Sequence, residues 1–471
     1  MSPDDLAYAR AVDIARWIRG GELTARAAVT ASLDRIEAED ARLHAFVDLA
    51  PERALAAAAE ADAAVSRGDS LGPLHGVPVA IKVQVQVRGM AFHRGSRLFA
   101  DDVGERDAPA VERLKRAGAI IVGMTAMPEF GHLAFAHNPM GPTTRNPWSH
   151  AHTCGGSSSG SAVALAAGYV PLVLGSDGGG SIRIPASCCG VFGIKPSLGR
   201  VPYVPIVGGR DAVSHLGPMA RSAADMALGL AVIAGPHDAD LITLPPDEAD
   251  YREAAVAGVD GARVAWAPQL GADVVDAEVV DICTAALDAF RAAGCEIASV
   301  EPMLSDATRE WATLFTTLLA AQVGHRMDEV RAVSEASLLA AAEAGLAVSG
   351  MEMMAAGSAR RRLWDEMADL FARHDVVVTP TLLMPPLPID EPGGRPADPN
   401  VWAQRWFRHV YPFNMTGQPA ATVPAGITRD GLPVGLQIVG ARHADADVLR
   451  FAAAFDAHWP QARLEPPDPE S

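Results

Sequence analysis

The first part of the chain has apolar positions at helical spacing, and this pattern changes near residue 71. Over residues 4–65 apolar side chains recur every three or four positions, Gly20 ends one predicted helix, and Thr24 can cap the next. An alanine-rich run predicts a third helix over about residues 51–66. We therefore predict that residues 1–70 form an outer helical layer.

After residue 71 short apolar runs alternate with helical patterns, which is typical of an α/β fold. We predict a core over residues 71–235, a mainly helical and less regularly patterned region over 236–374, which we call the variable region, and a sheet with a final helix over 375–471. No repeat or low-complexity linker separates these regions, so we predict one large domain. Predicted strands run up to Lys82 and over 119–123, 170–174, 262–266, 296–300, 375–380, 419–425 and 434–439, the last two as a hairpin. Predicted helices follow at 110–117, 158–167, 278–292, within 307–373 and at 444–458.

One apolar run, Gly76 to Lys82, ends on a lysine. Burial of an ammonium group costs several kcal/mol unless the group is paired or loses its proton, so a lysine is unusual there. This stretch alone leaves two interpretations open. Lys82 either has a special buried environment or reaches solvent from an edge strand.

The charge balance and the cysteine content of the chain limit its expected partners and location. The 471 residues include 39 basic and 57 acidic side chains, which give a net charge of −18. This balance disfavours nucleic acid and anionic membranes as partners. The five cysteines form no Cys-x-x-Cys pair, the N-terminal residues do not resemble a secretory signal, and no apolar window is long enough to span a membrane. We therefore expect free thiols and a cytoplasmic location.

Two segments rich in glycine and serine, residues 155–161 and 175–183, bracket a short helical pattern and a short apolar run. Glycine at this density indicates sharp turns or close approach of the backbone to another group. The first segment matches Gly-x-Ser-x-Gly with Ser158 at its centre, but the strand which that motif needs before it is not predicted. The second lacks the Gly-Lys-Ser/Thr of a phosphate-binding loop, and the nearby histidines lack metal-ligand spacing.

Ser181 fits a nucleophile better, because it follows a predicted strand and three glycines at 178–180. Their backbone N–H groups can converge beside the serine hydroxyl, which is what an oxyanion hole requires. The hydroxyl also needs a base, and no histidine is suitably placed. Lys82, kept neutral by burial, is the candidate base, and Ser157 can relay the proton between them.

These residues carry a family resemblance: the sequence resembles the amidase signature family of serine amidohydrolases. The resemblance covers about residues 75–205 and 375–455 and includes the spacing of 24 positions between Ser157 and Ser181. The matching segments are Gly76–Lys82, Gly155–Ser158, Asp177–Arg183, Gly193–Pro196, Asp375–Thr381 and Phe413–Ala420.

The resemblance implies a triad in which Ser181 attacks an amide carbonyl, Ser157 follows a cis peptide bond, and Lys82 is the base. It implies an oxyanion hole formed by the N–H groups of Gly178, Gly179, Gly180 and Ser181, with support from Ser158, Asp177 and Arg183. It also implies a mixed sheet of about eleven strands covered by helices, and neither a metal nor a cofactor.

The chain departs from the family pattern at three positions. Val83 stands where the family usually has Asp after the lysine, which leaves the surroundings of Lys82 less polar. Ser159 replaces a usual glycine, and Gly178 replaces a commoner Thr or Ile. None of these changes removes a catalytic group.

The implied activity is hydrolysis of a carboxylic acid amide with an apolar or aryl group, through an acyl-enzyme on Ser181, to an acid and ammonia or an amine. One alternative is the A-type component of a glutamine-dependent tRNA amidotransferase, which usually has Gln after Ser-Ile-Arg, where this chain has Ile184. That difference favours a stand-alone amidase. An esterase of the same family and an inactive binding protein are further alternatives, although all three triad residues are present.

The partner we expect is a small-molecule amide, with neither nucleic acid nor membrane, and a homodimer stays open. We expect the variable region, residues 236–374, to lie on the substrate side. Aromatic side chains in and near it are candidate walls of an apolar pocket, with burial in the core as the alternative. They are Trp311, Phe315, Trp402, Trp406, Phe407, Tyr411 and Phe413.

Overall fold

An eleven-stranded mixed sheet runs through the part of the chain that the computed structural model describes, which is residues 6–204, 213–301, 304–389 and 405–467. The strands lie side by side in the order β1-β3-β2-β4-β6-β5-β10-β11-β9-β7-β8. In chain order they are β1 (Phe46–Leu49), β2 (Pro78–Lys82), β3 (Ile120–Thr125), β4 (Leu172–Asp177), β5 (Phe192–Lys195), β6 (His215–Ala220), β7 (Arg263–Trp266), β8 (Glu296–Ser299), β9 (Val376–Pro380), β10 (Ala420–Ile427) and β11 (Pro433–Gly440).

Helices cover this sheet, and every position of the central strands β2, β4, β6 and β5 is buried. The helices of the described residues are α1 (Ala11–Gly20), α2 (Ala25–Leu43), α3 (Pro51–Arg67), α4 (Pro109–Arg116), α5 (Ser159–Ala166), α6 (Arg183–Cys189), α7 (Ala223–Ile233), α8 (Tyr251–Ala254), α9 (Ala277–Ala286), α10 (Asp288–Ala292), α11 (Thr308–Val323), α12 (Met327–Val333), α13 (Ala336–Leu346), α14 (Gly350–Phe371), α15 (Pro412–Thr416) and α16 (Asp445–His458).

The sheet confirms the predicted α/β class and the mixed, eleven-stranded arrangement. One hydrophobic core extends from α1 through the sheet to α16, as expected for a single domain. The predicted hairpin is confirmed, since β10 and β11 pair antiparallel with Ala420 opposite Val439. Thr24 caps α2 as predicted, because its side chain accepts a hydrogen bond from Ala27 N at 3.0 Å. The division of this domain into four regions, with boundaries after residues 70, 235 and 374, stays a prediction.

The structure differs from the prediction at several elements. The sequence pattern does not indicate β1, which is only four residues long, or β6, in which Gly217 and Pro218 count against a strand. The predicted helix over 278–292 is two helices, α9 and α10.

β4 continues three residues beyond its predicted end at 174. It does so because it pairs with β6 as far as Asp177 opposite His215. Ser176 and Asp177 therefore belong to a central strand and not to the following loop.

No single helix of the described residues is long and apolar enough to cross a membrane. The pair α13 and α14 reaches that length and composition only as two helices joined across a bend of 98°.

The helices after residue 308 pack on one another at a point where a side chain is not tolerated. A Cβ atom at Gly345 of α13 would lie 2.0 Å from the Thr316 carbonyl oxygen of α11. Leu319 of α11 and Leu338 of α13 belong to a second apolar cluster, which also contains Phe130. The position of α11 therefore depends on close contact with α13.

We predict opposite effects on stability for two glycine-to-alanine changes in these helices. Alanine favours a helix over glycine by up to about 1 kcal/mol, and Gly357 of α14 has no atom within 4 Å of its Cβ position. Gly357→Ala should therefore keep or raise the thermal midpoint. Gly345→Ala should lower it, because overpacking costs about 1–3 kcal/mol and the contacting atom is backbone. Circular dichroism melting of the two variants checks the pair, and effects of the same sign and size would contradict the close contact.

Candidate active site

Lys82 is the last residue of β2, and its amine is fully buried. Its strand lies between two parallel neighbours, with Lys82 opposite Thr125 of β3 and Ile81 opposite Leu174 of β4. Strands buried on both faces in this way are continuous apolar runs, which explains the sequence before the lysine. The interpretation of Lys82 as a solvent-reaching lysine on an edge strand is therefore wrong.

Three serine hydroxyls surround the amine. Lys82 Nζ lies 2.7 Å from Ser157 Oγ, 3.1 Å from Ser158 Oγ and 2.9 Å from Ser176 Oγ. Ser157 and Ser158 come from the start of α5, 75 and 76 positions along the chain, and Ser176 comes from β4. The amine is thus buried with hydrogen-bond partners but without a carboxylate in direct contact.

Two of these hydroxyls already donate their protons elsewhere. Ser158 Oγ donates to the Ser176 carbonyl oxygen at 3.2 Å, and Ser176 Oγ donates to Gln84 Oε1 at 2.9 Å. Both must therefore accept from Lys82. When Lys82 is protonated, its third hydrogen is donated to Ser157 Oγ. When the amine is neutral, its two hydrogens serve the other two serines, and its lone pair can accept the hydroxyl proton of Ser157.

The environment of Lys82 favours the neutral amine. Burial lowers the pKa of Lys82 from 10.5 to about 7, and the negative charge of Asp177 offsets only part of that effect. Val83 is fully buried beside it and adds no charge. The base is therefore poised to gain and lose a proton near neutral pH.

The two glycine- and serine-rich segments meet at this amine. The Gly156–Ser157 peptide bond is cis, as the resemblance implies. Ser158 N donates to the Ser181 carbonyl oxygen at 3.1 Å, which ties the first segment to the second. Ser158 is also the N-cap residue of α5, and no strand precedes it, so it does not lie in a nucleophile elbow.

Asp177 shapes the second segment from inside the protein. Its carboxylate accepts hydrogen bonds from Gly180 N at 2.7 Å, Ile182 N at 3.1 Å and Arg183 Nε at 3.0 Å. Burial alone would raise the pKa of Asp177, but the guanidinium of Arg183 outweighs that effect and holds the pKa well below its usual range. Asn414 adds a further donor at 2.8 Å. Asp177 and Arg183 thus form a fully buried ion pair next to the loop that they are predicted to support.

Gly180 differs from the prediction for the oxyanion hole. Its N–H is already engaged by Asp177, and its φ of 118° is one that glycine adopts readily. Among the described residues, no protein acceptor pairs with the N–H groups of Gly178, Gly179 or Ser181. The donors still available beside Ser181 are therefore those three.

A small cavity of about 40 Å³ opens next to these donors. Ser157 and Ser181 both line it, but no hydrogen bond joins their hydroxyls in this structure. Such hydrogen bonds are often long in free enzymes and shorten when substrate binds. The remaining wall combines polar and apolar side chains, among them Gln84, Phe130, Tyr203, Phe315, Leu319 and Gln322.

Of the aromatic residues predicted as pocket walls, Phe315 lines the cavity, and Trp311 packs against Gly179 behind it. The others are buried in the core and do not line the cavity, so for them the core interpretation holds: Trp406, Phe407, Tyr411 and Phe413. Trp402 lies outside the described residues.

The structure has room for the two other departures from the family pattern, Ser159 and Gly178, without steric conflict. Ser159 lies at the start of α5, where its Oγ donates to the Ala126 carbonyl oxygen at 3.4 Å. A Cβ at Gly178 would make only ordinary contacts, 3.4 Å from Ser214 Oγ and 3.7 Å from Phe315.

Sequence reasoning missed Ser176 and Gln84. The alternation of Val and Gln after Lys82 was the available signal for Gln84, although residues 83–85 form a turn and not a strand, with Val85 N donating to the Lys82 carbonyl oxygen at 2.8 Å. Ser176 gave no such signal, because its role depends on the extension of β4 to Asp177 along β6.

Known proteins have sequences and folds similar to this chain over most of its length. The family model described as Amidase matches residues 27–449. An acylamidase from Rhodococcus erythropolis is 34% identical, with 99% of each chain covered. The A-type component of a glutamyl-tRNA(Gln) amidotransferase from Alkaliphilus metalliredigens is 30% identical, with 94% of this chain and 95% of that protein covered.

Among solved structures, a bacterial aryl acylamidase of the amidase signature family superposes with a TM-score of 0.89 at 28% identity, with 96% of each chain covered. Family model, sequence and fold therefore agree over nearly all of the chain. The chain belongs to the amidase signature family and is a hydrolase of amide C–N bonds.

Proposed function

We propose that this enzyme hydrolyses the amide of a carboxylic acid with an apolar or aryl group, through an acyl-enzyme on Ser181. One observation carries the proposal: the fully buried amine of Lys82 lies 2.7 Å from Ser157 Oγ, within hydrogen-bond distance. Ser157 and Ser181 border the same cavity, so a proton can pass from Ser181 through Ser157 to Lys82.

Acylation begins when Ser181 Oγ bonds to the carbonyl carbon and its proton passes by way of Ser157 to Lys82. The negative charge that develops on the carbonyl oxygen is stabilised by the N–H groups of Gly178, Gly179 and Ser181. The tetrahedral intermediate then expels the amine or ammonia, which takes the proton back from Lys82 through Ser157. An ester on Ser181 remains.

Deacylation repeats these steps with water. A water molecule attacks the ester carbonyl and gives a proton through Ser157 to Lys82, and the proton returns to Ser181 Oγ as the acid leaves. Every step uses a group of this chain, so the proposal includes no metal and no cofactor.

The apolar part of the cavity wall and the names of similar proteins support the proposed substrate class. Phe130, Phe315 and Leu319 line the cavity and provide apolar contacts for an acyl or aryl group. The names of two similar proteins, an acylamidase and an aryl acylamidase, support the same class. We further propose a cytoplasmic enzyme without a nucleic-acid partner, either monomeric or a homodimer.

Membership of an amidotransferase complex is the second candidate function, since the A-type component of one such complex is 30% identical to this chain. That function would need partner proteins, and Ile184 stands where such components usually have Gln. Hydrolysis of simple amides by the chain purified alone supports the first function. Glutaminase activity that depends on added partner proteins would support the second, and hydrolysis restricted to esters would indicate an esterase.

We predict that Ser181→Ala abolishes amide hydrolysis and labelling by a fluorophosphonate while the protein stays folded, because the attacking oxygen is removed. Release of ammonia or amine from a panel of aliphatic, aryl and cyclic amides measures activity, and mass spectrometry of the labelled peptide identifies the nucleophile. Ser158→Ala should keep the labelled site at Ser181. Turnover by Ser181→Ala, or a label on Ser158, would refute the assignment.

We predict that kcat/KM rises from acid toward alkaline pH with a half-maximal value near pH 7. The base works only when neutral, and burial lowers the pKa of Lys82 to about 7, so activity is lost as pH falls and the amine gains a proton. A profile that stays flat down to pH 5 would contradict Lys82 as the base.

Ser176→Ala tests the origin of this profile. Ser176 accepts a hydrogen bond from Lys82, which favours the protonated amine, so its loss should move the half-maximal point to lower pH. It should also lower kcat by about tenfold, because Lys82 is less well directed at Ser157. Ser161→Ala is the matched control, since that buried hydroxyl pairs with Thr125 Oγ1 at 2.7 Å and makes no hydrogen bond with the amine of Lys82. Equal behaviour of the two variants would contradict the role of Ser176.

A further inference from the structure

Trp311 of α11 touches the loop that carries the proposed oxyanion donors, residues 178–181. Its indole Nε1 donates a hydrogen bond to the Gly178 carbonyl oxygen at 3.2 Å. Its ring lies against Gly179, where a Cβ atom would be 2.4 Å from Trp311 Cζ2. Gly179 therefore makes room for the indole, and the indole in turn holds the loop.

The hydrogen bond to Gly178 fixes the direction of the next donor. The carbonyl of Gly178 and the N–H of Gly179 belong to one planar trans peptide unit, in which the two groups point in opposite directions. With the carbonyl held toward Trp311, the N–H of Gly179 points away from the indole. A donor to the carbonyl also polarises the peptide unit and strengthens its N–H as a donor.

The indole itself is held by other aromatic rings. Trp311 stacks on Tyr411 with ring centroids 5.4 Å apart and on Phe315 at 5.3 Å, and Phe407 meets it edge-on at 5.8 Å. The hydroxyl of Tyr411 pairs with Thr308 Oγ1 at 2.9 Å, which ties the stack to the first residue of α11. The orientation of the indole is therefore set by packing and not by the loop alone.

We propose that Trp311 is a positioning residue that aims the N–H of Gly179 at the developing oxyanion, an inference that rests on the proposed acyl-enzyme mechanism. Asp177 fixes the loop from its inner side through Gly180, and Trp311 fixes it from the other side through Gly178. The helix α11 thus connects the wall of the substrate cavity, through Phe315, to the geometry of the catalytic loop.

Trp311→Phe tests this role, because phenylalanine keeps an aromatic ring at this position but removes the N–H donor and part of the indole that lies against Gly179. Loss of a whole oxyanion donor lowers kcat by about 10²–10³-fold, so a misdirected donor should lower kcat by about tenfold. KM should change by less than about twofold, because the donor acts on charge that is present only in the transition state. The rate of fluorophosphonate labelling at Ser181 should fall by a similar factor, since that step displaces fluoride and also develops charge on an oxygen.

Trp459→Phe is the matched control, because Trp459 Nε1 donates to the Ala425 carbonyl oxygen at 2.8 Å, outside the cavity wall. It should leave kcat within about twofold of the original enzyme. The turnover rate is divided by the amount of Ser181 that becomes labelled when labelling is complete. A partly unfolded preparation therefore does not produce an apparent fall in kcat.

A Trp311→Phe variant with unchanged kcat and labelling rate per site would overturn the inference and leave the proposed function intact. A rise in KM with unchanged kcat would also overturn it and assign Trp311 to substrate binding. Failure of the original enzyme to become labelled at Ser181 would instead refute the proposed function.

Discussion

The burial of one lysine amine is the constraint on which this site depends. An ammonium group in the interior is costly, and Lys82 avoids that cost by having a pKa near 7 and three hydroxyls around its nitrogen. The central position of β2 creates the burial, and the neighbouring strand β4 and the start of α5 bring the hydroxyls. Because two hydroxyl protons are committed elsewhere, the amine is directed at Ser157.

The second requirement is a rigid loop around Ser181, and distant parts of the chain meet to provide it. Arg183 joins Asp177 to Gln437 of β11, with Nη1 at 2.8 Å from the amide oxygen, and to Asn414 of α15 at 2.6 Å. The C-terminal strands thereby support a loop formed more than 200 positions earlier in the sequence. This contact gives a physical reason for the resemblance in the segment 413–420, which contains Asn414.

Much of the fold and most of the site could be predicted from the sequence. The motifs placed Lys82, Ser157 and Ser181, and the change from helical spacing to short apolar runs indicated the α/β class. Strand order could not be predicted locally, so the sequence could not decide whether Lys82 was buried. The engagement of Gly180 by Asp177 and the role of Ser176 depend on side-chain contacts across strands, which no spacing along the chain reveals. Aromatic composition likewise did not separate Phe315, which lines the cavity, from Tyr411, which is core.

A direct titration of Lys82 tests the central claim. The chain has three lysines, Lys82, Lys115 and Lys195, so lysine labelled with carbon-13 at Cε gives few NMR signals. The signal that is missing in Lys82→Met identifies the residue. We expect this signal to titrate with a midpoint near pH 7. A Lys82 signal that keeps the chemical shift of a protonated amine up to about pH 9, close to the range of an ordinary lysine, would contradict the proposed role of Lys82 as a neutral base.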